Sequence, residues 1–121
     1  MPDADILVVE DDPTLAATVA ELLELEGYPV TTATNGAEAL QVVARRQPRL
    51  VLLDMRMPVL DGWGFARMAR EAGYQLRIVI MSAAHDAHRW ADEVGAAGHV
   101  AKPFEADELL AEVRRVLQIA S

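Results

Sequence analysis

The sequence predicts an α/β domain built on a parallel sheet with helices packed on both faces. Two observations carry that expectation. Apolar runs at Ile6–Val9, Leu50–Leu53 and Ile78–Met81 are short, rich in branched side chains and uninterrupted by polar residues. Strands buried on both faces have that pattern. Around them, apolar residues recur at helical spacing, and the two patterns alternate along the chain. Strict alternation implies parallel strands joined by crossover helices.

The elements follow in order. After Ile6–Val9, Asp12 and Pro13 supply an N-cap and a first-turn proline. Leu15, Val19, Leu22 and Leu23 form one helical face that should stop at Gly27. Val30–Thr34 is more polar and suits a sheet edge. Asn35 and Glu38 have the spacing of a capping box, ahead of a stripe of Ala39, Leu40 and Val43. Arg45, Arg46 and Arg49 lie near the end of that helix, where positive charge complements its dipole. Beyond Leu50–Leu53, the third helix should bury Phe65, Met68, Ala69 and Ala72, with Trp63 in its packing, and end at Gly73. Beyond Ile78–Met81, Ala87, Trp90, Ala91 and Val94 make the fourth stripe, closed by Gly95. His99–Ala101 is the second edge candidate. Leu109, Leu110, Val113 and Leu117 make the last helix. With the apolar strands central, the expected fold is a doubly wound five-stranded sheet of order 2-1-3-4-5, the flavodoxin-like (βα)5 arrangement.

Composition bounds the function. The 121 residues fit one domain spanning 1–121, with no room for an output domain. The chain is 52% apolar and 25% charged, as globular proteins are, and the absence of cysteine excludes disulfides and thiolate metal sites. The first apolar run has no basic leader and is far too short to cross a bilayer, so a soluble cytoplasmic protein without a membrane partner is expected. Net charge is −8, and every ionisable residue from Asp3 to Glu38 is acidic apart from Tyr28. Such a surface repels nucleic acid, which excludes direct binding to it.

In an open parallel sheet, sites form beyond the carboxyl ends of the strands. Those positions hold Glu10, Asp11 and Asp12 after the first strand, Asp54 after the third, Ser82 after the fourth and Lys102-Pro103 after the fifth. Asp12 is accounted for as a helix cap. The remaining carboxylates repel one another unless a cation intervenes, and a hard, oxygen-seeking ion such as Mg²⁺ answers that need. Lys102 is the single lysine among eleven basic residues. A compact point charge, rather than a planar guanidinium, suits pairing with one carboxylate or phosphoryl oxygen.

Taken together, ILVVEDDP, LLDMRMPVLDGW, IMSA and GHVAKPF in this order resemble the response-regulator receiver domain of two-component phosphorelay signalling, across essentially the whole chain. The resemblance implies that Asp54 accepts a phosphoryl group from a phosphohistidine on a histidine kinase or phosphotransfer protein. It implies Mg²⁺ (or Mn²⁺) held by Asp11 directly, Glu10 through water, Asp54 and the backbone carbonyl of Arg56. Ser82 would hydrogen-bond the phosphoryl group and Lys102 would pair with it, with a cis Lys102-Pro103 bond aiming the lysine inward. Phosphorylation would alter the surface of helix 4, strand 5 and helix 5, controlling a downstream protein partner or self-dimerisation, and Trp90 is a candidate for that output surface. The chain would catalyse only its own phosphorylation and a slow loss of the group.

Three positions depart from the family pattern. His99 stands where an aromatic switch residue is usual, three residues before the lysine, and Arg56 lies two residues beyond the acceptor, where side chains tune dephosphorylation. Ala84, two residues beyond Ser82, offers no acid or amide to position water. His85 and His88 lack metal-ligand spacing and are expected on the surface. Other functions fit less well. A Mg²⁺-dependent aspartyl-phosphate phosphatase would carry an acid at the Arg56 position. A nucleotide or flavin module would need a Gly- or Ser/Thr-rich anion loop where the chain has EDDP. A docking module that is never phosphorylated would not need the full set of site residues.

Overall fold

A computed structural model of the protein describes residues 6–118, the side chain of Ala84 excepted. Five strands, β1 (Ile6–Val9), β2 (Val30–Ala33), β3 (Leu50–Asp54), β4 (Ile78–Ala83) and β5 (Gly98–Lys102), alternate with five helices. The helices are α1 (Pro13–Leu25), α2 (Gly36–Arg45), α3 (Gly62–Glu71), α4 (Ala84–Val94) and α5 (Ala106–Leu117). The sheet order is β2-β1-β3-β4-β5 and every pair is parallel. This is the predicted doubly wound topology.

The two-residue period of the strands divides the core. Leu7, Val9, Val51, Leu53, Ile78 and Ile80 face one side with buried residues of α2, α3 and α4. Ile6, Val8, Leu50, Leu52, Val79, Met81 and Val100 face the other, against α1 and α5. The central strands β1 and β3 are fully buried, which explains why their sequences show no alternation. Each fully buried branched side chain contributes roughly 1.5–3 kcal/mol relative to its exposed state.

Local signals are realised with some adjustments. Asp12 Oδ1 accepts from the backbone N–H of Thr14 and Leu15, capping α1. Asn35 Oδ1 accepts from the Glu38 N–H, but the Glu38 carboxylate reaches past Asn35 to the N–H of Thr34, so the capping box is displaced by one residue. Gly27, Gly73 and Gly95 all have positive φ. The third helical stripe differs from expectation: Met68 and Ala72 are exposed, and α3 buries Gly62, Gly64, Phe65, Ala66 and Ala69 instead. Small residues at its start let α3 seat closely, and that turns Met68 outward. A Cβ on Gly62 would lie 2.8 Å from the Met55 Cα.

Candidate functional site

Strand ends place the site, and they lie closer to it than the apolar runs alone suggest. β3 extends through Asp54, β4 through Ser82 to Ala83, and β5 through Lys102, so these polar residues finish strands rather than follow them. Register sets Asp54 beside Met81 and Ala83 beside Lys102. The Lys102-Pro103 bond is cis, as the resemblance implies.

Glu10, Asp54 and Ser82 are the buried polar residues of the described chain. Lys102 donates from Nζ to Glu10 Oε1 at 2.9 Å and to Asp54 Oδ1 at 3.4 Å. The other Glu10 oxygen accepts from the Asp12 N–H at 3.3 Å. Asp11 is exposed, and carboxylate oxygens of Glu10, Asp11 and Asp54 lie within 4.8 Å of one another. They open into a cleft of about 310 Å³ that Arg56, Ser82 and Lys102 also line.

Charge is unbalanced here, with three carboxylates facing one ammonium. Burial pushes the Glu10 and Asp54 carboxyls above their ordinary range, and the Lys102 contacts recover only part of that cost. Burial alone would lower Lys102, but the Glu10 hydrogen bond and the Asp54 and Glu10 charges outweigh it and raise its pKa. A lone ion pair would lower its carboxylate. Here burial prevails because one ammonium is divided between two acids. Hard oxygen donors and a shortage of positive charge fit an ion such as Mg²⁺.

Some features were missed in the sequence. α4 begins at Ala84, directly after β4, so its first turns form a wall of the cleft through Asp86 and Trp90. Trp90 was expected at an output surface and is instead 5% exposed. Its ring packs edge-on against Trp63 at 4.8 Å, and Trp63 Nε1 donates to Glu93. Continuous helical spacing from Ala84 to Val94, without a Gly or Pro break, was the signal available for this placement. His99 does not line the cleft. It lies half-buried on β5 with its ring edge-on to His88 at 5.5 Å, while its N–H donates to Glu112. His85 and His88 are exposed, as expected.

A five-stranded parallel sheet with an acidic pocket and a lysine at its carboxyl edge defines a class, and the response regulator receiver domain family matches residues 6–114. The chain belongs to that family. It is 35% identical to sporulation initiation phosphotransferase F of Bacillus subtilis (strain 168), covering 100% of this chain and 99% of that protein. It is 38% identical over 115 residues to the response regulator MprA of Mycobacterium leprae (strain TN), covering 93% of this chain and 50% of that one. The chain thus spans the whole of the first relative and about half the length of the second. The receiver domain of NtrX from Brucella abortus superposes with a TM-score of 0.88 at 32% identity, over 96% of this chain and 100% of that one. The non-phosphorylated HemR receiver domain from Leptospira biflexa gives 0.86 at 32% identity, over 98% and 97%. Membership makes this a regulatory receiver domain of two-component signalling. Among the described residues, no helix is long and apolar enough to cross a membrane.

Proposed function

We propose that residues 1–121 act as a single cytoplasmic receiver domain in which Asp54 takes a phosphoryl group from a phosphohistidine on a histidine kinase or phosphotransfer protein. The observation that carries this reading is the Lys102 ammonium held against both Asp54 and Glu10 at the open edge of the sheet. An Asp54 carboxylate oxygen forms the new bond to phosphorus as the phosphorus–nitrogen bond breaks, and its electron pair stays on the departing imidazole. Phosphoryl transfer depends on placement and charge neutralisation. Glu10, Asp11, Asp54 and the Arg56 carbonyl would hold Mg²⁺ or Mn²⁺, which offsets charge on the phosphoryl oxygens. Lys102 leaves its shared position to pair with one of those oxygens, and Ser82 donates to another. Ser82 and His99 would then carry the change to the face of α4, β5 and α5, which controls a protein partner or dimerisation. Catalysis is confined to this transfer and a slow loss of the group.

The test is uptake from a small acyl-phosphate donor with Mg²⁺ and with a chelator, followed by intact mass. One added phosphoryl group with Mg²⁺, and at least tenfold slower uptake with chelator, is expected. Equal uptake in both would overturn the metal requirement.

A further inference from the structure

The fold brings two histidines together from different elements, His88 on α4 and His99 on β5. His99 alternates with Val100, which faces α1 and α5, so its ring stands on the α4 side of the sheet. There it meets His88, with ring centres 5.5 Å apart and planes inclined at 85°. The backbone of His99 is fixed: its N–H donates to Glu112 Oε2 at 3.0 Å, and Arg115 donates to both oxygens of that carboxylate at 2.9 Å. The His88 side chain is 77% exposed, and its Nδ1 lies 3.6 Å from Asp92 Oδ2. His85 is placed beside Asp86 instead, at 3.4 Å.

We propose that His88 and His99 form a binding site for a divalent transition-metal ion of the Zn²⁺, Cu²⁺ or Ni²⁺ class, separate from the acidic pocket. Neutral imidazole is the commonest protein ligand for such ions. Metal–nitrogen bonds of about 2.0–2.1 Å put two ring centres on one ion about 5–5.5 Å apart, and this pair has that separation. The exposed His88 ring needs only to turn about its own side-chain bonds for Nε2 to reach the ion. Asp92 beside Nδ1 favours a proton on that nitrogen, which leaves the Nε2 lone pair for the metal. Water completes the coordination on the solvent side. Asp92 and Glu112 set negative charge near the added cation, while Arg115 is engaged by Glu112. Mg²⁺ prefers the oxygen donors of the pocket, so the two sites divide ions by chemistry. An ion bound between the histidines fastens α4 to β5, across the face on which the phosphoryl group is proposed to act. Sequence spacing hides this site because its two ligands come from separate elements.

The test titrates the whole chain with Zn²⁺ in excess Mg²⁺, which occupies the acidic pocket, and follows binding by calorimetry. One Zn²⁺ is expected to bind. His88→Asn and His99→Asn should each weaken it by at least about tenfold, a loss seen even for partners outside the ligand set. His85→Asn should bind as wild type does. With Cu²⁺, the electron paramagnetic resonance spectrum should show coupling to two imidazole nitrogens in wild type and to one in either variant. Zn²⁺ should raise the urea midpoint of wild type by mass action and leave those of both variants nearly unmoved. Because His88 is exposed, His88→Asn reads the site even where His99→Asn weakens the fold. No Zn²⁺ binding by wild type, or equal affinity in wild type and His88→Asn, overturns the proposal. So does equal weakening by His85→Asn and His88→Asn, which would describe loose attraction to a histidine-bearing surface. The phosphoacceptor reading is tested with Mg²⁺ alone and stands or falls separately.

Discussion

Glu10 and Asp54 are buried acids that divide one ammonium, and that arrangement has a thermodynamic consequence in the absence of metal. Removing one charge leaves the other matched to Lys102. Asp54→Asn is therefore expected to stabilise the metal-free protein by roughly 1 kcal/mol, as relief of a strained functional site does. Because folding raises both acids above 4.5 and 3.8, the native state binds more protons than the unfolded chain over the interval up to the raised values. Their contribution thus weakens stability as pH rises through that interval. Glu112 has the opposite sign. The Arg115 hydrogen bond lowers its pKa, so its contribution is present above 4.5 and is lost as pH falls through the lowered value. Urea unfolding with chelator, from pH 4.5 to 7.5, should show a steeper decline in wild type than in Asp54→Asn. Parallel profiles would mean that Asp54 does not carry the raised pKa. The identity of these residues was readable from sequence, since each follows an apolar run. Their sharing of Lys102 was not, because side-chain pairing across 92 and 48 residues depends on strand register.

At the scale of elements, the loop from β3 to α3 is the most constrained piece of the site. Leu60 N–H donates to the Pro58 carbonyl, closing a tight turn around Val59 at φ 71. That turn is strained, more so for a β-branched residue. Leu60 is then fastened by its carbonyl to the Gly36 N–H, and a Cβ on Gly36 would stand 2.5 Å from that oxygen. Gly36→Ala should destabilise by about 1–3 kcal/mol through overpacking. Val59→Gly should stabilise by about 0.5–1 kcal/mol, since relief of the left-handed backbone exceeds the entropy that glycine adds to the unfolded chain. Midpoints of urea unfolding decide both, and a Val59→Gly protein weaker than wild type would contradict the turn. The strands, caps and helix-ending glycines were legible because they depend on neighbours in sequence. Met68 was misplaced because periodicity identifies a stripe, whereas the packing of whole helices decides which residues face solvent; for Trp90 the stripe was right, and only its assignment to an output surface, taken from the resemblance, was not.

For the whole molecule, the sheet order brings three strand ends and one loop to a single edge, while His99 on β5 and His88 on α4 meet away from it. The two regions are joined by α4, whose first turns wall the cleft and whose body packs beside β5. A phosphoryl group at Asp54 would therefore act on α4 directly through Ser82, Arg56 and Trp90, as a local charge change biasing a movable element. Everything in this scheme depends on the covalent chemistry at one carboxylate. The most direct measurement is to phosphorylate the protein with the small acyl-phosphate donor and Mg²⁺, reduce the acyl phosphate with borohydride, and sequence the peptides by mass spectrometry. Reduction should convert residue 54 alone to homoserine, and Asp54→Asn should yield no converted residue. Conversion at Glu10 or Asp11 in the wild type, or undiminished uptake by Asp54→Asn, would contradict the assignment.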